Sequence, residues 1–509
     1  MTIDYIALTL ALVSFAVLIA IRVPITFSLI ISSVITTIYL GLPLESVVQN
    51  IMQGINNFSL LAIPFFILMG EIMGYGGITQ KLIDFSNVAV GRIRGGLAQV
   101  NVLASMFFGG VSGSAVADVS TIGAMLIPIM KKKGYDSDFA VAVTVSSACQ
   151  GIIIPPSHNM IIYTIAAANI TYLGKALPTA TVGNMFMGGY LPGIMLGVIL
   201  MGICYIIARV RGYPKERKYS FKEGLKISID AFLGVVTAVI IVFGIYFGVF
   251  TATEASTVAV AYSLFVAFVF YRLPAKKSFA IVGIITAFFI LLWVIGLVFS
   301  PYYDSRVIFR IKEIVSWIFA FAMLGFLYKQ LKEKVKLSEI SGIVVSTLKT
   351  LALVISVIMA AKAYSHVLTL LKLPTITTEG LLSITDNPIL LILLINLLII
   401  LLGCIMDMAP LIMILTPILY PVVVGKLGMS PIQFGIMLLL NLGIGLCTPP
   451  VGAALFVGCS IGKVSIEKAT KGLMPFYVAM IISLLLVTFI PDITTFLPDN
   501  VAKLKELFS

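Results

Sequence analysis

Apolar segments of about 20 residues recur along the whole sequence, and each is long enough to cross the hydrocarbon core of a membrane as a helix. Of the 509 residues, 60% are hydrophobic and only 11% are charged, a balance that excludes a soluble globular fold. The segments predict an all-α polytopic membrane protein with roughly ten to twelve spanning helices.

The first apolar segment begins near Tyr5 and has its first cation at Arg22, without a basic leader or a small-residue cleavage site. We expect it to be a retained first helix. Five cysteines lie inside apolar segments and lack paired or metal-ligand spacing, so neither a disulfide framework nor a zinc site is predicted. They are Cys149, Cys204, Cys404, Cys447 and Cys459.

Lysine and arginine residues are concentrated in short loops, and loops that retain them face the cytoplasm. The net charge of +12 therefore indicates topology, because no long basic stretch with interleaved aromatic residues suggests nucleic-acid binding. This pattern places the N-terminus outside. Cytoplasmic loops are expected at Arg22, Lys81–Arg94, Lys131–Lys133, Arg209–Lys226, Arg272–Lys277, Lys329–Lys336 and Lys463–Lys471.

Two apolar segments interrupt the regular alternation of loops. Leu97–Met130 has a basic loop at each end, and its 34 residues suit two half-helices that meet at a tip rich in glycine and serine. This predicts a re-entrant hairpin entered from the cytoplasm. Asn387–Val424 is flanked by cation-poor segments and predicts a second hairpin, entered from outside, with its interruption near Gly403, Asp407 and Pro410.

The two hairpins belong to an internal repeat with a constant offset of 294 residues. The pattern G-x-x-x-P-P occurs in both copies, and each double proline interrupts a helix because proline lacks an amide donor and restricts the residue before it. One copy starts inside and the other outside, which is the inverted-topology architecture of secondary transporters. The paired positions are Gly109 and Gly403, Gly134 and Gly428, Gly151 and Gly445, Pro155 and Pro449, and Pro156 and Pro450.

The tips and broken helices carry the candidate cation ligands. At the first tip, Ser112, Gly113 and Ser114 offer the hydroxyl and carbonyl oxygens that hard cations prefer, with Asp118 one turn further on. The alternative is that Ser114 only caps the returning half-helix and Asp118 offsets its dipole.

At the second tip, Asp407 precedes a helix whose first turn contains Pro410. It is either an N-cap or, as a carboxylate deep in a membrane segment, part of an ion or substrate pathway. Carbonyls before each double proline are free to hold a cation, and amides of the following half-helix attract a carboxylate. The alternative is a kink that serves packing alone, which the recurrence of the double proline in both copies disfavours. These segments contain Pro155, Pro156 and Ser157 in one copy and Gly443, Gly445, Thr448, Pro449 and Pro450 in the other.

Other polar residues at membrane depth are weaker candidates. Glu71, Glu254, Lys362 and His366 lie in or at the ends of apolar helices, where pairing between helices competes with a role in translocation. His158 follows the first broken-helix loop, where it either contacts substrate or caps the helix end. No phosphate-binding G-x-x-x-x-G-K-[ST] loop and no H-E-x-x-H motif occurs, so neither ATP hydrolysis nor an enzymatic activity is predicted.

Several motifs together resemble the large membrane subunit, of DctM type, of TRAP transporters, the tripartite ATP-independent periplasmic family. The residues that carry this resemblance are FFGGVSGSAVADVSTIGAMLIPIMKKKGYDSDFAVAVTVSSACQGIIIPPS (Phe107–Ser157), GCIMDMAPLIMILTPILYP, NLGIGLCTPPVGAALFVG, LLAIPFFILMGEIM (Leu60–Met73) and TATEAS (Thr251–Ser256). The resemblance covers most of the chain apart from about residues 273–334.

The resemblance implies a Na⁺-driven, elevator-type importer of small organic acids in the bacterial inner membrane. Its partners would be a small four-helix membrane subunit and a periplasmic substrate-binding protein, and its substrate a C4-dicarboxylate or a sialic or sugar acid. Implied substrate contacts are Ser112, Ser114, Ser157, His158, His366 and Asp407. Implied Na⁺ ligands are Ser112, Gly113, Ser114, Pro155, Asp407, Gly443, Gly445, Thr448 and Pro449.

Two features depart from the family pattern: an additional pair of apolar spans at about 273–334, and His366 where an arginine would be expected to meet a substrate carboxylate. The alternatives are a stand-alone ion-coupled carboxylate transporter or exchanger of the same fold and, less compatible with inverted hairpins, a channel. The predicted segments are scaffold and arm helices at 1–96, the first transport half at 97–171, connecting helices at 172–272, the additional pair at 273–334, arm and scaffold at 335–386, the second transport half at 387–462 and a last helix and tail at 463–509.

Overall fold

The computed structural model describes residues 4–172, 174–274 and 334–508, together with scattered positions between 277 and 331. Within these residues the chain is almost entirely helical, and a single two-stranded antiparallel pairing joins β1 (Thr171–Tyr172) to β2 (Lys175–Ala176). The predicted helix pair at 273–334 lies largely outside the described residues.

The first half of the chain contains fourteen helices within the described residues. They are α1 (Tyr5–Ala20), α2 (Ile25–Tyr39), α3 (Glu45–Ile55), α4 (Ala62–Tyr75), α5 (Ile78–Val90), α6 (Gly96–Ser112), α7 (Ala115–Asp118), α8 (Ala124–Lys132), α9 (Ser137–Ala148), α10 (Gln150–Ile153), α11 (His158–Ala166), α12 (Val182–Val210), α13 (Phe221–Tyr246) and α14 (Ala252–Leu264). A 3₁₀ turn, Phe58–Leu61, precedes α4, and π-helical turns at Val119–Gly123 and Phe265–Phe270 follow α7 and α14.

The second half repeats much of this order. Its helices are α15 (Leu337–Leu370), α16 (Leu373–Ile384), α17 (Pro388–Gly403), α18 (Met408–Tyr420), α19 (Pro431–Leu446), α20 (Ala453–Gly462), α21 (Ile466–Phe489) and α22 (Asp492–Phe508). A π-helical turn, Pro421–Lys426, extends α18. One long helix, α15, occupies the place that α3 and α4 share in the first copy.

Helix starts follow from local sequence. Ser220 and Thr251 each accept a hydrogen bond from the amide three residues on, while Glu223 and Glu254 bond back to the cap amide, so both helices begin with a capping box. The arm helices α5 and α16 begin after Gly77 and Lys372, whose left-handed backbone turns the chain sharply. Each arm therefore leads directly into a hairpin.

Each hairpin consists of two antiparallel half-helices joined by a short turn, and these half-helices are distinct from the arm helices α5 and α16. The first comprises α6 and the continuous run of α7, its π-helical turn and α8, and the second comprises α17 and α18. Each is followed by a helix that breaks at a double proline, and the first broken helix bends by 50° between Ser137–Ile153 and His158–Ala166.

Seven helices of the described residues are long and apolar enough to span a membrane, or eight if the bent pair counts as one span. The expectation of ten to twelve spans is larger because α1, α2 and the hairpin arm α17 have only 15 or 16 residues each. The seven helices are Phe58–Tyr75, Val182–Val210, Phe221–Tyr246, Ala252–Phe270, Ser338–Leu370, Met408–Lys426 and Ile466–Phe489.

Packing contacts divide the helices into an inner and an outer group, and burial follows this division only at its extremes. In Met408–Lys426, 83% of the most apolar window is buried inside the protein, whereas in Ser338–Leu370 only 22% is. The inner group contains both hairpins, both broken helices, α12 and α21, with α21 packed on α9 and α12. The outer group contains α1 to α4, α13, α14 and α15. The tips and broken-helix loops thus lie within the inner group.

Candidate functional site

The first tip contacts the first broken-helix loop directly. Gly113 ends α6 with a φ of 62°, and its amide donates to the Gly109 carbonyl over 2.8 Å. A Cβ at Gly113 would lie 3.1 Å from the Ser157 Cα and from the His158 amide nitrogen, so this position requires glycine for its conformation and for its close approach. The Asn159 side-chain amide donates to the Gly113 carbonyl over 3.1 Å.

The serines of this tip organise its turn. The Ser114 hydroxyl accepts from the Ala117 amide over 3.3 Å and so caps α7, as the capping alternative predicted. The Ser114 amide in turn donates to the Ser112 hydroxyl over 3.4 Å. Ser112, Gly113 and Ser114 therefore form one compact turn, and its Gly113 carbonyl faces the broken helix at Asn159.

The loop side of this site carries an unsatisfied oxygen. Pro155, Pro156 and Ser157 are buried, and the Ser157 hydroxyl has no hydrogen-bond partner in the described part of the chain. The Pro155 carbonyl oxygen would lie 3.0 Å from a Cβ at Gly110, which places it against the tip. The buried Ser157 hydroxyl and the nearby Pro155 carbonyl are oxygens of the kind that hard cations prefer.

The second tip meets its broken helix through different groups. Asp407 accepts a hydrogen bond from the Met408 amide over 2.8 Å and caps α18, so the capping role considered for it is observed. The Val451 amide donates to the Cys404 carbonyl over 3.0 Å, which fastens the double-proline loop to the end of α17. The Thr448 hydroxyl donates to the Ile444 carbonyl over 2.7 Å and keeps a lone pair available.

Both halves have a glycine pair where the hairpin crosses the broken helix. A Cβ at Gly151 would lie 2.7 Å from the Gly109 Cα, and a Cβ at Gly445 would lie 2.5 Å from the Gly403 carbonyl carbon. These are the positions that the offset of 294 residues pairs between the copies. The glycines of the repeat therefore permit the backbone contact that brings each tip to its loop.

The two broken helices also contact each other. The Cys149 thiol lies 3.1 Å from the Cys447 thiol and donates to the Gly443 carbonyl over 3.1 Å, while the Cys447 thiol contacts the Val145 carbonyl at 3.3 Å. The Tyr477 hydroxyl donates to the Cys447 carbonyl over 2.7 Å. The Gly443 carbonyl, an expected Na⁺ ligand, is thus directed at the other half of the protein.

The structure brings the predicted site residues together in two groups. Ser112, Gly113, Ser114, Pro155, Ser157 and His158 meet at the first tip, and Asp407, Gly445, Thr448 and Pro449 lie around the second. His366 is half-buried on the outer helix α15, and no hydrogen bond among the described residues joins it to either tip. Asn159 and the cysteine contact were not predicted, because neither position is paired by the repeat.

Comparisons with known proteins agree with this architecture. A family model described as "Tripartite ATP-independent periplasmic transporter, DctM component" matches residues 12–299 and 273–493. A C4-dicarboxylate TRAP transporter large permease protein of Vibrio cholerae is 34% identical over 94% of both chains. A sialic acid TRAP transporter large permease protein of the same organism is 33% identical over 89% of this chain and 88% of its own length.

Among solved structures, the Alcanivorax borkumensis YdaH transporter aligns with a TM-score of 0.52 over 87% of this chain and 86% of its own chain. The two sequences are 12% identical, so this likeness shows a shared fold and nothing about substrate.

Proposed function

Because the chain belongs to the DctM family of tripartite ATP-independent periplasmic transporters, we propose that it is the large membrane subunit of a Na⁺-coupled importer of small organic acids. The proposed substrate is a C4-dicarboxylate or a sialic or sugar acid, and two relatives are named as transporters of C4-dicarboxylates and of sialic acid. The protein is a multi-pass membrane transporter rather than an enzyme, and its proposed location is the bacterial inner membrane with the N-terminus outside.

One observation supports this proposal above the others: the close crossing of hairpin helix and broken helix occurs in both halves, at Gly109 and Gly151 and again at Gly403 and Gly445. Irregular backbone at membrane depth persists where it lines a cavity or a bound ligand. The Ser157 hydroxyl, which has no hydrogen-bond partner among the described residues, and the Pro155 carbonyl would supply oxygens for Na⁺ at the first tip. Asp407 and Thr448 do so at the second.

The hairpins would be re-entrant, and the inner helix group would move as one unit against the outer group. The arms α5 and α16 connect the two groups, and each begins at a left-handed residue that allows the chain to change direction. An anionic substrate would bind between the two tips, where Na⁺ ions offset its charge. Na⁺ binding would order the tips, so that only the loaded or fully empty unit crosses the membrane.

A small membrane subunit and a periplasmic binding protein complete the proposed transporter, as the word "tripartite" in the family description indicates. The second candidate is a stand-alone ion-coupled carboxylate transporter or exchanger of the same fold. The binding-protein requirement separates the two candidates, since a stand-alone carrier takes its substrate directly from solution.

The test is uptake of radiolabelled organic acids into proteoliposomes that contain this subunit, its small partner and the cognate binding protein, with an inward Na⁺ gradient. Omitting Na⁺ or the binding protein should each abolish uptake. A choline gradient of equal ionic strength controls for osmotic effects. Uptake that persists without the binding protein would favour the stand-alone carrier, and uptake that persists without Na⁺ would contradict Na⁺ coupling.

A further inference from the structure

Asp118 lies fully buried in the first hairpin, and neither of its carboxylate oxygens has a hydrogen-bond partner in the described part of the chain. It takes part in none of the ion pairs among the described residues. An ionised carboxylate in this environment is unfavourable unless a cation offsets its charge, so the side chain points to a bound ligand.

The surroundings of Asp118 consist of oxygen-bearing side chains. The Ser105 side chain lies near this carboxylate without meeting hydrogen-bond geometry, and the Ser147 hydroxyl donates to the Ser105 hydroxyl over 3.1 Å. Ser147 also contacts the Asn101 side-chain oxygen at 3.3 Å, and Ser105, Ser147 and Asn101 are all fully buried. Carboxylate, hydroxyl and amide oxygens are the ligands that hard cations select.

The second half lacks this arrangement at both of its key positions. The offset of 294 residues pairs Ser105 with Ile399 and Asp118 with Ile412, and both isoleucines are fully buried. The hydroxyl and the carboxylate are therefore present together in one copy and replaced together by apolar side chains in the other. If Asp118 served only the shared hairpin fold, an equivalent polar pair would be expected in both copies.

The backbone beside Asp118 is also irregular. The π-helical turn Val119–Gly123 begins at the next residue, whereas α18 continues as a regular α-helix over Met408–Tyr420 at the corresponding place. Single π-helical turns occur frequently at functional sites. Asp118 lies four residues beyond the N-cap residue Ser114. At a helical rise of about 1.5 Å per residue, Asp118 is therefore about 6 Å from the tip.

We propose that Asp118, Ser105 and Ser147 form a Na⁺ site inside the first hairpin, separate from the tip site at Ser112–Ser114. The ion would reach it through the tip and contribute a positive charge that accompanies the anionic substrate. This inference rests on the proposed function, because it adds an ion to the same transport cycle. It predicts that one half of the inner helix group carries more of the coupling charge than the other.

The test uses the complete transporter in proteoliposomes and measures radioactive Na⁺ and substrate entry together, comparing wild type with Asp118→Asn. The substitution should remove a Na⁺ ion from each cycle and raise the half-saturating Na⁺ concentration about tenfold, because a charged ligand is lost. Ser120→Ala is the matched control, since Ser120 is exposed on the same arm and should leave both quantities unchanged.

Thermal stability of the purified subunit in increasing NaCl, with choline chloride holding the ionic strength constant, gives an independent readout. Na⁺ should stabilise Asp118→Asn less than wild type, because one of the binding equilibria is removed. If Asp118→Asn fails to fold, Ser105→Ala and Ser147→Ala replace it, and each should weaken Na⁺ binding severalfold.

An unchanged ratio of Na⁺ to substrate in Asp118→Asn, with wild-type uptake still dependent on Na⁺, would overturn this site without affecting the proposed function. Uptake that becomes insensitive to pH in Asp118→Asn but keeps its Na⁺ ratio would also overturn it and assign a proton to Asp118. Wild-type uptake that needs no Na⁺ would instead contradict the proposed function.

Discussion

The two hairpins have the same backbone plan but place their acidic side chains differently. In the first hairpin a serine caps the returning arm and the acid, Asp118, lies one turn further on and fully buried. In the second hairpin the acid, Asp407, is itself the cap and is exposed, and apolar Leu411 and Ile412 occupy the following turn.

The double-proline loops of the two halves also differ in how deeply they are buried. Residues 155–157 of the first loop are buried, whereas residues 448–450 of the second are half-buried or exposed. The first half therefore holds its polar groups in a closed environment, and the second presents them at an accessible surface. The two copies of the repeat thus share the crossing of the helices and differ in how accessible their polar groups are.

The largest expected effect on stability and uptake comes from substituting glycines that are equivalent in the repeat but pack differently in the two halves. A Cβ at Gly109 would overlap the backbone of Gly151, whereas a Cβ at Gly403 would find its nearest neighbour at 3.4 Å. Gly109→Ala should destabilise the protein by about 3 kcal/mol or more and abolish uptake, because no rotamer relieves a backbone overlap. Gly403→Ala should change stability by less than about 1 kcal/mol.

Thermal melting of the detergent-solubilised subunit, followed by size-exclusion chromatography, measures both variants. Equal destabilisation by the two alanines would contradict the difference in packing. Gly74→Ala is a suitable control, because a Cβ there would have no neighbour within 4 Å.

The second prediction separates capping from ion binding at the exposed tip. Asparagine caps a helix as well as aspartate does, so Asp407→Asn should change stability by less than about 0.5 kcal/mol. The lost negative charge should raise the half-saturating Na⁺ concentration for uptake about tenfold. Uptake titrated with Na⁺ at constant ionic strength measures this, and an unchanged titration would leave Asp407 with a capping role alone.

The third prediction concerns the buried double-proline loop of the first half. The Ser157 hydroxyl is buried and unpartnered in the described part of the chain, so Ser157→Ala should not lower stability measured without Na⁺. If the hydroxyl binds Na⁺ at the tip, the half-saturating Na⁺ concentration should rise about fivefold. Loss of Na⁺-free stability with unchanged Na⁺ dependence would show a purely structural role.

The repeat and the approximate hairpin limits could be predicted from the sequence, because proline restricts the backbone, glycine permits turns and close helix contacts, and their spacing recurs. Sequence reasoning did not reveal that the Asp118 carboxylate has no hydrogen-bond partner among the described residues, since that depends on how α6 and α9 pack around it. The offset also could not pair Cys149 with Cys447, because their contact lies between the halves rather than at equivalent positions. The placement of His366 on α15 was likewise determined by tertiary packing.

The smallest expected effect on stability comes from substituting the N-cap residues of the two broken helices. Asp136 caps α9 and Ser430 is its equivalent on α19, yet neither side chain makes a capping hydrogen bond. Asp136 instead accepts from the Tyr213 hydroxyl over 2.6 Å and from Arg211 over 2.8 Å. The hydrogen bond from Tyr213, followed by that from Arg211, lowers the pKa of Asp136 below its usual value.

A lowered pKa stabilises the fold above the unfolded-state pKa of about 3.9, and this contribution disappears as the pH falls through the lower pKa of the folded protein. Asp136→Asn should therefore reduce stability at pH 7 by about 0.5 kcal/mol, a small value because the Asp136 side chain is 57% exposed. Thermal melting between pH 7 and pH 3 should show the two proteins converging at the acidic end. Ser430→Ala should match wild type at every pH, and a pH-independent difference for Asp136→Asn would mean that the Tyr213 and Arg211 contacts do not depend on the charge.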